Sequence, residues 1–315
     1  MDIPEISSQY IKQSALNFGF ALCGIAKAKP LVKEKNRFEK ALSLNLHAKK
    51  EYFERDIEKR FNPSLLLENC KSVIVCGFNY NMKQEVIGAE YNISKYAQIE
   101  DYHVFMKEKL EKLSHDLQDK FGTFNYKTTI DSSAISEKAW AVQAGIGYYG
   151  KNGIIQTPYG SYVFLGTLLI DKEIDNYDEP CNNSCRNCNK CIEACPTQAI
   201  TAPFLVDSNL CISNINLNRK ETDFKRIAKY GWLIGCDTCQ IRCPNNIHAP
   251  VNSEAVAMRT PFFNNNQKIP ENLTPESFEK YFKDTIIYQF KYEGLKKRME
   301  SITPSHTARL SHSLV

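Results

Sequence analysis

The stretch CRNCNKCIEACP occupies residues 185–196 and decides how the chain is organised. Its cysteines recur after two, two and three intervening residues, and a proline follows the last of them. A second run, CDTCQIRCP at residues 236–244, repeats the final two spacings and the closing Cys-Pro pair. Thiolates at these spacings bind the iron atoms of 4Fe-4S clusters. The sequence therefore predicts a cysteine-rich module that binds two such clusters.

The expected ligand sets follow from the way bacterial ferredoxins use this pattern, in which the last cysteine of each run binds the other cluster. The second run is one cysteine short, and Cys211 between the runs is assigned as the substitute. The first set is Cys185, Cys188, Cys191 and Cys243. The second set is Cys195, Cys211, Cys236 and Cys239.

Cysteines at such spacings have two other uses in proteins. Two CxxC pairs can hold zinc, although zinc ribbons rarely use a run of such spacings closed by Cys-Pro. A disulfide framework fits less well, because the opening residues MDIPE resemble no export signal. We therefore expect a cytoplasmic protein, and no stretch approaches the roughly 18 apolar residues of a membrane helix.

Composition places the chain among ordinary globular proteins. Its 315 residues suffice for one large or two modest domains, and 43% hydrophobic with 24% charged residues is unexceptional. The formal net charge is +4. Two clusters with their thiolates would add roughly two negative charges each and bring the total to about zero. Net charge therefore gives no indication for or against nucleic-acid binding.

Apolar periodicity predicts an alternating α/β domain ahead of the cysteines. The run Val73–Phe78 is continuous and β-branched, as in a buried strand, while apolar residues from Met106 to Phe121 recur at helical spacing. The predicted helices are 6–18, 106–121 and 134–144. The predicted strands are 21–25, 73–78, 126–130 and 162–170. These elements are followed by an acidic linker at 171–180, the cysteine module and a helical tail at 278–299.

Eight short motifs occur in order along the chain and give a more specific indication. They are DIEKR at 56–60, DYH at 101–103, IDS at 130–132, AGIG at 144–147, GKN at 150–152, GSYVFL at 160–165, CIS at 211–213 and GCDTCQ at 235–240. Together they closely resemble epoxyqueuosine reductase. The resemblance implies an α/β (α+β) cobalamin-binding domain related to the nitroreductase fold at 1–172. It further implies a ferredoxin-like domain with two 4Fe-4S clusters at 173–252, and a C-terminal helical tail at 253–315 that packs on the first domain.

The resemblance also implies an activity. This family reduces epoxyqueuosine to queuosine at the wobble position of tRNA anticodons, the last step of queuosine biosynthesis. Cobalamin acts at the epoxide, and the clusters relay electrons from a low-potential donor. The expected partners are a tRNA with a queuosine-type anticodon and that donor, and the expected state is a monomer with base-off cobalamin.

Asp131 matches the family's proton donor. A carboxyl group with an ordinary pKa near 3.9 is ionised at neutral pH, so this role requires burial or a cofactor contact to raise the pKa. The alternative is structural, because an aspartate between a strand and a helix is often an N-cap.

Other residues take expected roles from the resemblance alone. The positions that match cobalamin contacts are Arg60, Ser94, Asp131, Ile155 and Leu165. Tyr102 and His103 are expected at the substrate, and Arg219 at the tRNA. Five of them have a plain structural alternative: a surface ion pair for Arg60, core packing for Ile155 and Leu165, and a capping or packing pair for Tyr102 and His103.

Some features leave alternatives open. Many family members continue with C-terminal helical repeats that this sequence lacks, so Lys296, Lys297 and Arg298 are candidate tRNA contacts. Four further cysteines, namely Cys23, Cys70, Cys76 and Cys181, have no assigned role. A reductive dehalogenase and a non-catalytic electron carrier are the competing functions. The former commonly carries a twin-arginine signal, and the latter would need no cobalamin cavity.

Overall fold

The computed structural model describes residues 5–82, 91–131, 133–219, 224–264, 269 and 273–302. Its strands are β1 (Leu22–Lys27), β2 (Ser72–Asn79), β3 (Asn92–Ile93), β4 (Tyr126–Thr129), β5 (Tyr148–Tyr149), β6 (Ile155–Gln156), β7 (Val163–Ile170), β8 (Ile200–Ala202), β9 (Leu205–Val206) and β10 (Trp232–Ile234). No helix among these residues has the length and apolar composition needed to cross a bilayer.

The helices are mostly short outside the first half of the chain. They are α1 (Ser8–Asn17), α2 (Val32–Ser43), α3 (Glu51–Glu54), α4 (Ile57–Phe61), α5 (Tyr102–Phe121), α6 (Glu137–Gln143), α7 (Lys190–Ala194), α8 (Ile212–Leu217), α9 (Lys225–Ala228), α10 (Thr238–Ile241), α11 (Pro244–Ile247), α12 (Ser253–Ala257), α13 (Pro261–Asn264), α14 (Pro275–Phe282) and α15 (Lys291–Ser301). Single 3-10 turns lie at Pro63–Leu65, Lys95–Ala97 and Ile286–Phe290.

The central sheet has four strands in the order β1-β2-β7-β4, and every neighbouring pair is antiparallel. Strand β2 is buried along its whole length because both faces of the sheet are covered. Ile74 and Phe78 pack with α1 and α5 on one face, whereas Val73 and Val75 pack with α6 on the other. The continuous apolar run that predicted this strand is explained by that two-sided cover, and the expected α/β (α+β) class is confirmed.

The long helix α5 begins four residues before the predicted start. The side chain of Asp101 accepts a hydrogen bond from the backbone of His103, which caps the helix and places Tyr102 and His103 in its first turn. Gly122 ends the helix with φ +84. The start of α5 is therefore fixed at the end of the sheet where β4 also ends.

The C-terminal region shares an apolar core with the second half of the chain. Phe282 and Leu295 pack in one cluster with Ile215 and Trp232. Ala97, which precedes α5, belongs to the same cluster. The backbone N–H of Asp101 donates a hydrogen bond of 2.8 Å to the carbonyl of Asp284, which connects this region to the N-cap of α5. The proposed boundaries at 172/173 and 252/253 stay a prediction, and residues 303–315 of the proposed tail lie outside the described residues.

Candidate active site

Asp131 follows β4 on an irregular path with φ +46, in the left-handed region that non-glycine residues seldom adopt. Its backbone N–H donates to the carboxylate of Glu137 in the first turn of α6. The N-cap residue of α6 is Ser136, so the expectation that Asp131 caps this helix is wrong. The turn instead leaves the Asp131 side chain exposed at the end of the sheet.

Two side chains from the first turn of α5 contact the Asp131 carboxylate. The hydroxyl of Tyr102 donates to Oδ2 at 3.0 Å, and Nε2 of His103 lies 3.4 Å from the same oxygen. The other ring nitrogen of His103, Nδ1, lies 2.7 Å from Oδ1 of Asp101. Tyr102 stacks between His103 and Phe164, with ring centres 4.1 and 4.2 Å away. Tyr102 and His103 thus form a packed pair, as the structural alternative held, and the pair also contacts Asp131.

The protonation states of this group differ from the expectation for Asp131. The hydrogen bond from His103, helped by that from Tyr102, lowers the pKa of Asp131 below its ordinary value. Hydrogen bonds to Asp101 and Asp131 raise the pKa of His103 to about 9. Burial, with the nearby Asp131 charge, raises the pKa of Glu137 to about 7. In this structure the expected rise in the pKa of Asp131 is therefore absent, and the nearby proton resides on His103.

Two tyrosines near Asp131 were not singled out from the sequence. Partial burial and then the Asp131 charge raise the pKa of Tyr52, which also interacts with Arg60. Burial, followed by the charges of Asp237 and Asp131, raises the pKa of Tyr96. No local pattern marks either tyrosine, because both approach Asp131 from distant parts of the chain.

The residues expected at cobalamin fall into two places around Asp131. Arg60 lies at the end of α4, where its guanidinium is 5.8 Å from the ring centres of Phe38 and Phe53. Ile155 is buried, and Leu165 packs half-buried against the same apolar cluster. These side chains form an apolar surface with a cation beside it.

Ser94 lies on the other side, in close contact with the cysteine module. A side chain at Gly235 would put its Cβ 2.2 Å from Oγ of Ser94, so only glycine fits there. The buried carboxylate of Asp237 accepts the backbone N–H of Lys95 at 2.8 Å. The hydroxyl of Tyr96 is buried without a hydrogen-bond partner among the described residues. A buried donor without a protein partner fits a bound cofactor that carries hydrogen-bond acceptors.

The seven cysteines of the two runs, together with Cys211, lie in two groups, and their assignment as cluster ligands stays a prediction. After burial, the neighbours that raise the pKa of Cys191 are Cys185, Cys243 and Cys188, and Cys185 and Cys188 also act on Cys243. In the second group, Cys195 raises the pKa of Cys211, and Cys211 raises the pKa of Cys236. Both Cys236 and Cys211 raise the pKa of Cys239. Two separate sets of four thiols fit two 4Fe-4S clusters. No three or more His, Cys, Asp or Glu side chains in the described ranges are spaced to hold a single metal ion.

The cysteine module lies directly beside the Asp131 group. Asp237 lies between two cysteines of the second set. Its charge and that of Asp131 both raise the pKa of Tyr96. Tyr162, which precedes β7, has its pKa raised by burial and then by Asp237, with smaller effects from Cys239 and Cys243. The side chains of Tyr96 and Tyr162 are therefore both close enough to Asp237 to be affected by its charge.

Of the four residues expected at the tRNA, three are exposed and one is buried. Arg219 is exposed after α8, and no contact of the described residues joins it to Asp131. Lys296 and Lys297 are exposed on α15. Arg298 is 3% exposed and donates to the carbonyls of three residues, so it does not face solvent as expected. Those residues are Asn216, Gly294 and Asn218.

Comparisons with known proteins give consistent results. The family model described as "Epoxyqueuosine reductase QueG, DUF1730" matches residues 60–132, and the one described as "4Fe-4S double cluster binding domain" matches residues 184–246. An epoxyqueuosine reductase of Cellulophaga algicola is 36% identical over 95% of this chain and 99% of its own length. One of Cyclobacterium marinum is 35% identical over 96% and 98%.

Solved structures match as well. The structure of an epoxyqueuosine reductase with an epoxyqueuosine-modified tRNA stem loop superposes with a TM-score of 0.82 at 27% identity, covering 92% of this chain and 79% of that chain. The enzyme from Streptococcus thermophilus superposes with a TM-score of 0.78 at 26% identity, with the same coverage.

Proposed function

This chain belongs to the epoxyqueuosine reductase family, and we propose that it reduces epoxyqueuosine in tRNA to queuosine. The observation that carries the proposal is the position of the Asp131 carboxylate. It is held by Tyr102 and His103 and lies beside a domain that matches double-cluster proteins. A proton source and an electron source therefore meet at one end of the sheet.

The proposed reaction needs a proton source and an electron source. Converting an epoxide to an alkene consumes two electrons and two protons and releases the oxygen as water. Bound cobalamin and two 4Fe-4S clusters supply the low-potential electrons. The chain supplies the protons, and His103, protonated at neutral pH because its pKa is about 9, holds one of them 3.4 Å from Asp131. Asp131 then passes this proton to the departing oxygen as general acid, and His103 takes up the second proton from solvent and delivers it by the same route.

The residues proposed to surround cobalamin are Arg60, Ser94, Asp131, Ile155 and Leu165. The half-buried Leu165 and buried Ile155 offer an apolar face, and Arg60 and the Tyr96 hydroxyl offer donors to polar groups at its edge. Ser94 adjoins the cluster module through Gly235. These residues would bind the cofactor, which would supply reducing chemistry at the substrate.

The thiol sets are proposed as the ligands of the two clusters. The first is Cys185, Cys188, Cys191 and Cys243, and the second is Cys195, Cys211, Cys236 and Cys239. We assign the cobalamin-binding domain to 1–172, the cluster domain to 173–252 and the tail to 253–315. A low-potential donor reduces the clusters, and the enzyme acts as a monomer with base-off cobalamin.

The substrate is a tRNA with a queuosine-type anticodon. A relative has been solved with an epoxyqueuosine-modified tRNA stem loop, which supports this class of partner. Exposed Arg219 is proposed to contact the RNA backbone, and Tyr102 with His103 to contact the modified base. The buried Arg298 is left out of this surface.

The test uses anaerobically reconstituted protein with cobalamin, a low-potential reductant and epoxyqueuosine-containing tRNA. Digested nucleosides are read by mass spectrometry, and cobalamin is omitted in the control. We expect loss of one oxygen from the modified nucleoside only when cobalamin is present. Intact clusters and bound cobalamin without oxygen loss would refute the substrate, and failure to bind cobalamin would favour an electron carrier.

A further inference from the structure

The loop at residues 45–50 packs against the segment that carries Cys211. The backbone N–H of Ser208 donates to the carbonyl of Leu46 at 2.9 Å, and the Asn209 amide donates to the carbonyl of Asn45 at 3.1 Å. The ammonium of Lys50 donates to the side-chain oxygen of Asn214. Contacts at both ends of the loop therefore fix Lys50 on this segment.

The backbone of the same loop is unusual. Asn45, Ala48 and Lys49 have φ values of 55, 54 and 54, all in the left-handed region that residues with side chains disfavour. Such a conformation persists where surrounding contacts hold it in place. The loop is thus a defined element that presents Lys50, which is half-buried.

Cys211 is the N-cap residue of α8, and Asn214 is the third residue of that helix. Side chains at these two positions lie next to each other in the first turn. The backbone N–H groups of Asn214 and Ser213 lie close enough to the Cys211 sulfur to favour its thiolate form, although neither makes a cap hydrogen bond to it. An ammonium bound to Asn214 therefore lies beside that sulfur, and Lys50 and Cys211 each favour the charged form of the other.

The second thiol set consequently has charges of opposite sign near it. The carboxylate of Asp237 lies between Cys236 and Cys239 in the chain, whereas the ammonium of Lys50 is bound to Asn214 in the helix turn that follows Cys211. Lys50 also lies 5.9 Å from the ring centre of Tyr52, whose hydroxyl interacts with Asp131. The lysine therefore contacts both the segment that carries Cys211 and an aromatic side chain that interacts with Asp131.

We propose that Lys50 is a positioning residue for electron transfer, in which its ammonium beside Cys211 raises the reduction potential of the second cluster. Reduction adds one electron to a cluster that is already negative, and a nearby cation stabilises the added charge. A higher potential draws the electron from the first cluster toward the side of the module that faces Asp131. The inference rests on cluster binding by the matched domain and not on the identity of the substrate.

The experiment is a redox titration of the anaerobic holoenzyme followed by electron paramagnetic resonance. It compares wild type with Lys50→Met, which keeps the aliphatic stem, and Lys50→Arg, which keeps the charge. The matched control is Lys49→Met, because Lys49 is an exposed neighbour in the same loop. Iron content and the cluster spectrum establish that both clusters are present in each variant.

We expect Lys50→Met to lower one of the two midpoint potentials by about 59 mV, a tenfold change in a one-electron equilibrium. The other potential should stay in place, and Lys50→Arg and Lys49→Met should resemble wild type. Unchanged potentials in Lys50→Met, or the same shift in Lys49→Met, would overturn the proposal. If Lys50→Met loses a cluster, Lys50→Gln, which can still donate to Asn214, takes its place with the same expected shift.

Discussion

The imidazole of His103 has Nε2 3.4 Å from Oδ2 of Asp131. On the opposite edge, Nδ1 lies 2.7 Å from Oδ1 of Asp101, so the ring is held between two carboxylates. Hydrogen bonds to Asp101 and then Asp131 raise the pKa of His103 to about 9. At neutral pH the site therefore holds a protonated imidazole against an ionised aspartate.

This arrangement predicts an alkaline limit to turnover. If His103 supplies a proton through Asp131, the rate should fall as the pH rises through about 9, where the imidazole loses its proton. His103→Gln retains a hydrogen-bond donor but cannot titrate. Its turnover should be slower than that of wild type at pH 7, and its rate should not fall as the pH rises through about 9. The measurement is the single-turnover rate from pH 6 to 10. A wild-type profile in His103→Gln would contradict the role.

The same pair predicts how stability depends on pH. The folded-state pKa of His103 lies above the ordinary value of 6.5, so its contribution is present in full below about pH 6.5. That contribution is lost as the pH rises through about 9. Wild type should therefore exceed His103→Gln in free energy of unfolding at pH 6, and the gap should narrow by pH 10. Urea titrations of both proteins at the two pH values measure it, and a constant gap would show that the imidazole charge is not stabilising.

Asp131→Asn should remove the final proton donor while keeping an oxygen for the Tyr102 hydroxyl to contact. We expect turnover to fall by about 10² to 10⁴, with cobalamin binding and cluster content retained. Glu137→Gln is the paired variant, since Glu137 accepts the backbone N–H of Asp131 and has its pKa raised to about 7. Normal turnover in Asp131→Asn together with loss in Glu137→Gln would move the donor role to Glu137.

Replacing a cysteine of the second set should remove one cluster. Cys211→Ser is expected to bind about half the iron of wild type, because a 4Fe-4S cluster is held by four protein thiolates. Cys181→Ser is the control, since Cys181 precedes the first run and belongs to neither set of four. The measurement is the iron and sulfide content of each variant and of wild type after anaerobic reconstitution. Full iron in Cys211→Ser, or a loss in Cys181→Ser, would require a different assignment of ligands.

The sequence predicted what local spacing controls. Strand β2 could be anticipated because it depends on a run of adjacent apolar residues, whereas the two thiol sets rest on a familiar repeat and stay a prediction. The contact between Tyr102 and Asp131 could not be anticipated, since it joins residues 29 positions apart. The helix predicted from residue 134 begins at Glu137 because the chain turns through Asp131 at positive φ, which no apolar pattern records.

The burial of Arg298 escaped prediction because basic runs usually lie on exposed faces. In the structure its guanidinium donates to the carbonyls of Asn216 and Asn218 and lies 4.3 Å from the ring centre of Phe290. Arg298→Met keeps the aliphatic stem but withdraws these donors from buried acceptors. We expect a loss of about 2–4 kcal/mol in the free energy of unfolding, measured by denaturant titration.

Lys297→Met is the matched control for that loss, because it makes the same change at the preceding, exposed position of α15. Its free energy of unfolding should stay within about 0.5 kcal/mol of wild type. The two variants also separate stability from RNA binding, since an exposed lysine can contact phosphate whereas a buried arginine cannot. Arg298→Met with wild-type stability but weakened tRNA binding would return this residue to the RNA surface, and the packing described for α15 would then be wrong.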